Sequence, residues 1–233
     1  MIRKLTSWSF SRLKQYEECP LKAKLKNIDR LAEPPSSAMD KGMAVHMMAE
    51  AYIKGGISDR PLELIHFGDM IDDLRNQYEG AGGIWVEASW CFDKDWNSVE
   101  YDDWDNVRCR IKVDVAAFEN DTVLEVIDWK TGQPSKFKSE VYEDQLELYA
   151  LGGLLIHINE PGVVVKPMLC WLNVGQTSPT PPRIYKSSDL DWLKAKWEKR
   201  AEPLLNDETF APRAGRHCQW CAFAKDKGGP CPL

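Results

Sequence analysis

Asp128 and Lys130 stand two residues apart near the end of the run Val123-Leu-Glu-Val-Ile-Asp-Trp-Lys-Thr-Gly132. A carboxylate and an ammonium side by side are groups able to do chemistry, although Asp-x-Lys alone also reads as a solvated strand end. The run reads as a strand, with β-branched Val123, Val126 and Ile127 and the breaker pair Thr131-Gly132 closing it. Side chains alternate along a strand, which sends Asp128 and Lys130 to one face and Ile127 and Trp129 to the other. A second alternating run, Ile111 to Phe118, precedes it, and Asn120-Asp121-Thr122 between them is turn chemistry for a hairpin. With that turn Glu119 pairs with Val123 and Asp114 falls opposite Asp128. Two carboxylates and a lysine then meet among strongly apolar residues, where unpaired charge is costly.

Other residues able to do chemistry lie on the elements around this hairpin. Met39 to Tyr52 reads as a helix carrying His46 in an apolar stretch, as a satisfied core residue or as a ligand. Gln145 and Tyr149, four apart on the helix expected over Tyr142 to His157, share one face. Glu87 lies on a strand expected over Ile84 to Phe92, and Lys136 and Lys138 on the loop after the hairpin. The tail holds Cys218-x-x-Cys221 with Cys231 nine residues beyond, a metal-ligand arrangement because thiolates two apart reach one centre from a tight turn. A fourth ligand is needed, and Cys19, followed by Pro20, is the other cysteine outside an evident strand. Zinc, with His217 as a spare ligand, competes with an iron-sulfur cluster. Cys91, Cys109 and Cys170 lie in apolar runs and read as core packing.

The remaining elements read as scaffold. Phe10, Leu13 and Tyr16 have helical spacing behind Ser caps, and Pro20 ends or bends that helix. Further helices are expected over residues 61 to 79, broken by Gly80 to Gly83, and over Ser188 to Leu205. Val163 to Asn173 reads as a buried strand interrupted by Pro167, followed by a loop over Thr177 to Pro182 and an edge strand at Arg183 to Lys186. The six acidic residues between Asp93 and Asp105, with Trp96, Tyr101 and Trp104 among them, read first as a solvated acidic hairpin and second as a partner contact.

At 233 residues and 43% hydrophobic content the chain can bury one substantial core. It contains no apolar run of 18 residues and no signal-peptide stretch, so a soluble, cytoplasmic protein without a membrane partner is expected. Seven cysteines in a reducing compartment do not make a disulfide framework. The net charge of −6 hides a division: residues 1–30 carry +5 and residues 210–233 carry +3, leaving −14 between them. Basic ends suit phosphate and an acidic middle suits metal ions.

Asp114 followed by Ile127-Asp128-Trp129-Lys130-Thr131-Gly132 resembles the core of the PD-(D/E)XK nuclease superfamily, and the Asp-Trp-Lys-Thr-Gly wording its RecB-like branch. Gly42-x-x-x-His46 and Gln145-x-x-x-Tyr149 resemble two further motifs of that family, and the segment from Ser7 to Pro20 resembles the N-terminal signature of its iron-sulfur exonucleases, including the CRISPR-associated and phage types. The resemblance implies an α/β fold, a mixed central sheet flanked by helices, with residues 36–205 as nuclease core and 1–35 with 206–233 as a cluster-binding subdomain. It implies a metal-dependent exonuclease acting on single-stranded or end-containing DNA in recombination, repair, phage replication or CRISPR adaptation. Asp114, Asp128, His46 and the carbonyl of Trp129 would hold Mg²⁺ or Mn²⁺, Glu87 would sit behind them, Lys130 would act on water or phosphate, Gln145 would position Lys130, and Tyr149 would bind the strand. Cys19, Cys218, Cys221 and Cys231 would bind a 4Fe-4S cluster that draws the basic ends together. Self-association, a protein partner in a recombination or CRISPR complex, a catalytically idle DNA-binding accessory role and an iron-sulfur redox role stay open at this point.

Overall fold

The computed structural model describes residues 4–34, 37–80, 82–135 and 139–233, so Lys136 and Lys138 lie outside the described residues. The elements are β1 (Trp8–Ser9), α1 (Phe10–Glu18), α2 (Pro20–Asn27), α3 (Ser37–Ile53), a 3₁₀ stretch (Leu62–Phe67), α4 (Gly68–Glu79), β2 (Ile84–Phe92), β3 (Cys109–Asn120), β4 (Val123–Lys130), α5 (Ser139–Ile156), β5 (Val164–Trp171), β6 (Gln176–Ser178) and α6 (Leu190–Asn206). The strand order is β1-β3-β4-β5-β6 with β2 also on β3. β3 and β4 run antiparallel, β4 and β5 parallel, and β5 and β6 antiparallel, the mixed α/β arrangement expected. The chain divides into two compact units, one of residues 37–90 with 111–194, the other of residues 1–36, 91–110 and 195–233.

In the first unit one face of the sheet is closed by α3, α4 and the 3₁₀ stretch. Val45, Ala49, Ile53, Leu64 and Ile71 meet Val115, Ile127, Trp129 and Met168 in a buried cluster, because odd positions of β4 carry the apolar residues on that side. α5 covers other strand residues, and the pair Gly152-Gly153 sets how near it comes. A Cβ on Gly152 would lie 2.7 Å from the Trp90 ring and 2.9 Å from Ile111, and one on Gly153 3.0 Å from Val165. There the backbone of the helix lies directly against side chains of the strands.

Three expectations are corrected in this unit. The hairpin register is the expected one from Leu124↔Phe118 to Ile127↔Val115, but its end is irregular: Asn120, not Glu119, pairs with Val123. Asn120 Oδ1 accepts the Thr122 and Val123 amides at 3.0 and 3.1 Å, an Asx turn that pulls the chain in one residue later. β5 is not interrupted by Pro167, which pairs with Val126 in an unbroken strand. Val165 N–H, two residues earlier, bonds outward to Tyr185 O, so the missing N–H of Pro167 falls on the same outer side, between that single bridge and the start of β6 at Leu169. The edge strand at Arg183 to Lys186 is accordingly one bridge at Tyr185, while β6 occupies part of the expected loop.

In the second unit Ser9 caps α1, accepting the Arg12 amide at 3.4 Å. Cys19 separates α1 from α2, and Pro20 opens the latter at a position where a missing N–H costs nothing. Trp8 stacks on Trp197 of α6 with ring centroids 5.7 Å apart, and Arg200 reaches Glu17 through two hydrogen bonds of 2.5 and 3.0 Å. The acidic stretch after β2 begins as a short antiparallel turn-back: Asp93 Oδ1 accepts the Asp95 and Asn97 amides, both at 2.8 Å, and one antiparallel bridge joins Phe92 to Ser98. Trp96 is buried there and donates its Nε1–H to Glu198 at 2.7 Å, whereas Tyr101 and Trp104 are exposed.

Candidate metal and phosphate-hydrolysis site

The expected strand pair delivers Asp114 and Asp128 to one place. Beyond Val115↔Ile127 a side chain takes over from the ladder, as Asp114 Oδ2 accepts the Trp129 amide at 2.7 Å. This leaves Asp114 Oδ1 turned to His46 Nδ1 at 3.2 Å. Ligand atoms of His46, Glu87 and Asp114 all lie within 4.8 Å of one another, and each residue is half-buried. One imidazole and two carboxylates are donors for a divalent cation of the Mg²⁺ or Mn²⁺ kind.

Glu87 enters this group at a conformational cost. It lies within β2 with φ +56°, a left-handed conformation that a glutamate adopts only under constraint. Lys112 on β3 holds its Oε2 at 2.6 Å. His46 occupies α3 with Val45 and Ala49 buried beside it and Met43 and Met47 largely exposed, so it stands at the margin of the helix's buried face. Burial disfavours its protonation, but the charges of Asp114, Asp128 and Glu87 outweigh burial and raise its pKa.

Asp128 belongs to a second group beside the first. It is 5% exposed, and its Oδ1 accepts the Tyr149 hydroxyl at 2.6 Å and Gln145 Nε2 at 3.0 Å. Its Oδ2 faces the Lys130 ammonium at 2.5 Å and has no other partner. Lys130 also donates to Gln145 Oε1 at 3.2 Å. Burial pushes the Asp128 carboxyl above the usual carboxylate range; the Lys130 charge pulls it back and the Asp114 charge adds to the rise. Tyr149 is held far above an ordinary phenol by burial and by the charges of Asp128 and Asp114, so it stays a proton donor.

Every sequence-predicted residue of this centre therefore lies in one unit and in one neighbourhood, grouped differently from expectation. Glu87 stands with His46 and Asp114, whereas Asp128 faces lysine, glutamine and tyrosine. Trp129 buries its ring against Phe67 and gives its amide to Asp114. Lys112 and the glycine pair of α5 were missed, although two adjacent glycines inside an apolar helix are a signal of close backbone approach.

The four cysteines expected to bind a cluster lie in the other unit. Arg213 N–H donates to Cys19 Sγ at 3.4 Å, and Cys218 Sγ lies 4.0 Å from Arg213 O, so one backbone residue touches both. Cys221 N–H bonds to Cys218 O at 3.1 Å and Cys231 N–H to Phe223 O at 3.0 Å, folding the tail back on itself. No three of these sulfurs come within 4.8 Å of one another. Cys91, Cys109 and Cys170 are buried as core residues.

Residues 7–225 match the family model of the PD-(D/E)XK nuclease superfamily. Among solved structures, the chain is similar to SSO0001, with 13% identity, a TM-score of 0.49, and coverage of 100% of this chain and 89% of that one. It is also similar to a candidate exonuclease from Eubacterium rectale, with 12% identity, a TM-score of 0.48, and coverage of 93% and 87%. No curated protein matches the chain. No described helix is long and apolar enough to cross a membrane.

Proposed function

We propose that this chain, which belongs to the PD-(D/E)XK nuclease superfamily, is a Mg²⁺- or Mn²⁺-dependent deoxyribonuclease acting from DNA ends. The observation that carries the reading is the convergence of His46, Glu87 and Asp114 next to the Asp128–Lys130 pair. The donor set fits a hard divalent cation, since two carboxylates and an imidazole bring oxygen and nitrogen donors within 4.8 Å of one another. A cation bound there supplies Lewis acidity toward the phosphate and acidity to a coordinated water. The chain's own groups do the rest. Lys130 neutralises the phosphate oxygen that gains charge, Gln145 holds the ammonium in line, and Tyr149 keeps Asp128 from turning away.

The test is product analysis on end-labelled single- and double-stranded DNA with Mn²⁺, for the native chain and for Asp114→Asn, Lys130→Ala and His46→Ala. Mononucleotides or short ladders from one end are expected, abolished by Asp114→Asn and Lys130→Ala with DNA binding retained. His46→Ala is expected to raise the Mn²⁺ concentration for half-maximal rate more than it lowers the melting temperature. Unchanged turnover in Lys130→Ala removes the assignment.

A 4Fe-4S cluster on Cys19, Cys218, Cys221 and Cys231 is the second element of the reading. Its support is the shared contact of Cys19 and Cys218 with Arg213, which brings the N-terminal cysteine and the Cys-x-x-Cys tail to one backbone residue. Iron and acid-labile sulfide in anaerobically purified protein, lost in Cys19→Ala, are expected; stoichiometric zinc overturns the cluster and leaves the nuclease standing. Action in recombination, repair, phage replication or CRISPR adaptation, with a protein partner or a second copy, is the setting this activity suits.

A further inference from the structure

A second cavity in the nuclease-bearing unit lies next to the hydrolytic centre and takes no part in the chemistry above. It holds about 350 Å³ and is lined by Pro134, Ser135, Tyr142, Leu146, Trp171 and Pro179, with Glu143 and Ser178 completing it. Two relationships fix its place. Trp171 is the strand partner of Lys130 in the β4–β5 pair, and Leu172 N–H bonds to Lys130 O at 2.9 Å. On α5, Tyr142 and Leu146 line the cavity while Gln145 and Tyr149, three residues after each, bond Asp128. Neighbouring stripes of one helix therefore serve the two sites, which are contiguous.

The lining says what enters. Tyr142 and Trp171 meet edge to face, centroids 5.1 Å apart at 76°, so two rings form a corner, and two prolines and a leucine add apolar wall. Ser135 and Ser178 offer hydroxyls. Among the described residues no cation lines the cavity, and its one carboxylate, Glu143, is 3.3 Å from Arg183. A flat, neutral heteroaromatic ring with polar edges finds apolar walls and hydroxyl partners there.

We infer that the cavity is a nucleobase subsite, receiving the unstacked base of a nucleotide beside the scissile phosphate. This rests on the nuclease reading and deepens it: the substrate class becomes a single strand or frayed end, because a paired base cannot leave its stack without cost. Recognition is sequence-tolerant, since every base has a face to stack and the lining has no fixed array of donors.

The test walks a single abasic residue along a labelled single strand and compares single-turnover cleavage by the native chain, Tyr142→Ala and Ser135→Trp, the last filling the cavity from its loop. In parallel, 2-aminopurine is placed at the same positions and its fluorescence read in Ca²⁺ without turnover. Base stacking of about 1–3 kcal/mol predicts that loss of the base at one position next to the cleaved bond slows the native chain by about 5- to 150-fold. Tyr142→Ala and Ser135→Trp are expected to cleave intact DNA as slowly as abasic DNA, and 2-aminopurine to be quenched by the native chain alone. Equal native rates at all abasic positions overturn the subsite. So does retained discrimination in Ser135→Trp, a variant that keeps Tyr142 and decides the matter if Tyr142→Ala fails to fold. Quenching without cleavage of any strand faults the nuclease reading and leaves the subsite standing; cleavage without quenching does the reverse.

Discussion

Lys130 donates to Gln145 Oε1 at 3.2 Å, while Nε2 of the same amide turns to Asp128 at 3.0 Å. One neutral side chain thus fixes an ammonium and a buried carboxylate at once, with its orientation set by needing an acceptor on one side and a donor on the other. Replacing it with Leu is expected to lower single-turnover cleavage about 10- to 100-fold, by the scale of a lost hydrogen bond to a charged group. Gln145→Glu is expected to lose more, because it sets a second negative charge against Asp128. Rates at saturating DNA and metal check both.

Glu87 bears backbone strain at the metal group, with φ +56°. Glu87→Gly is expected to melt no lower than the native chain, since glycine takes that conformation freely. Its Mn²⁺ requirement is expected to rise at least tenfold. Calorimetry and metal titration on the same variant separate the two effects.

Gly152→Ala places a methyl where Trp90 and Ile111 already lie within 3 Å. Overpacking of this kind costs about 1–3 kcal/mol, and a lower melting temperature is expected. Because α5 carries Gln145 and Tyr149, the residual folded protein is also expected to turn over more slowly. An unchanged melting temperature shows that the helix can withdraw freely.

Tyr16 donates to Asp207 at 2.9 Å, and burial, that hydrogen bond and the Asp207 charge push its pKa up to about 12 against a smaller opposing pull from Arg213. The folded chain holds this proton more tightly than the unfolded chain does. Its contribution is full below the ordinary phenol pKa near 10 and is lost as pH rises toward 12. Tyr16→Phe is expected to melt lower at pH 8 and to lose less between pH 9.5 and about 11.5. Thermal scans across that range check the difference.

The meeting of these side chains was legible because it is written in two local patterns that superpose. Alternation put Asp128 and Lys130 on one side of β4, the hairpin register brought Asp114 to it, and helical spacing paired Gln145 with Tyr149. What failed was any feature decided by groups far along the chain. Pro167 is tolerated in β5 because nothing on its outer side asks for an N–H, a fact about Tyr185 and β6. The turn slipped by one residue because the side chain of Asn120 outcompeted the ladder. The place of Glu87 beside His46 and Asp114 goes with a backbone conformation that no propensity encodes. The cavity of Tyr142 and Trp171 joins elements whose sequences separately suggest only apolar packing.

The unit that carries Cys19 is assembled from residues 1–36, 91–110 and 195–233, and Trp8 finds its stacking partner in Trp197. A ribosome adding about 5–20 residues per second needs roughly 10 to 40 s to make the chain between those two rings. Until then Trp8 lacks the ring it stacks on, while most of the residues of the unit holding His46 and Asp128 have already been made. The unit that carries Cys19 is thus completed only when its last segment has been added.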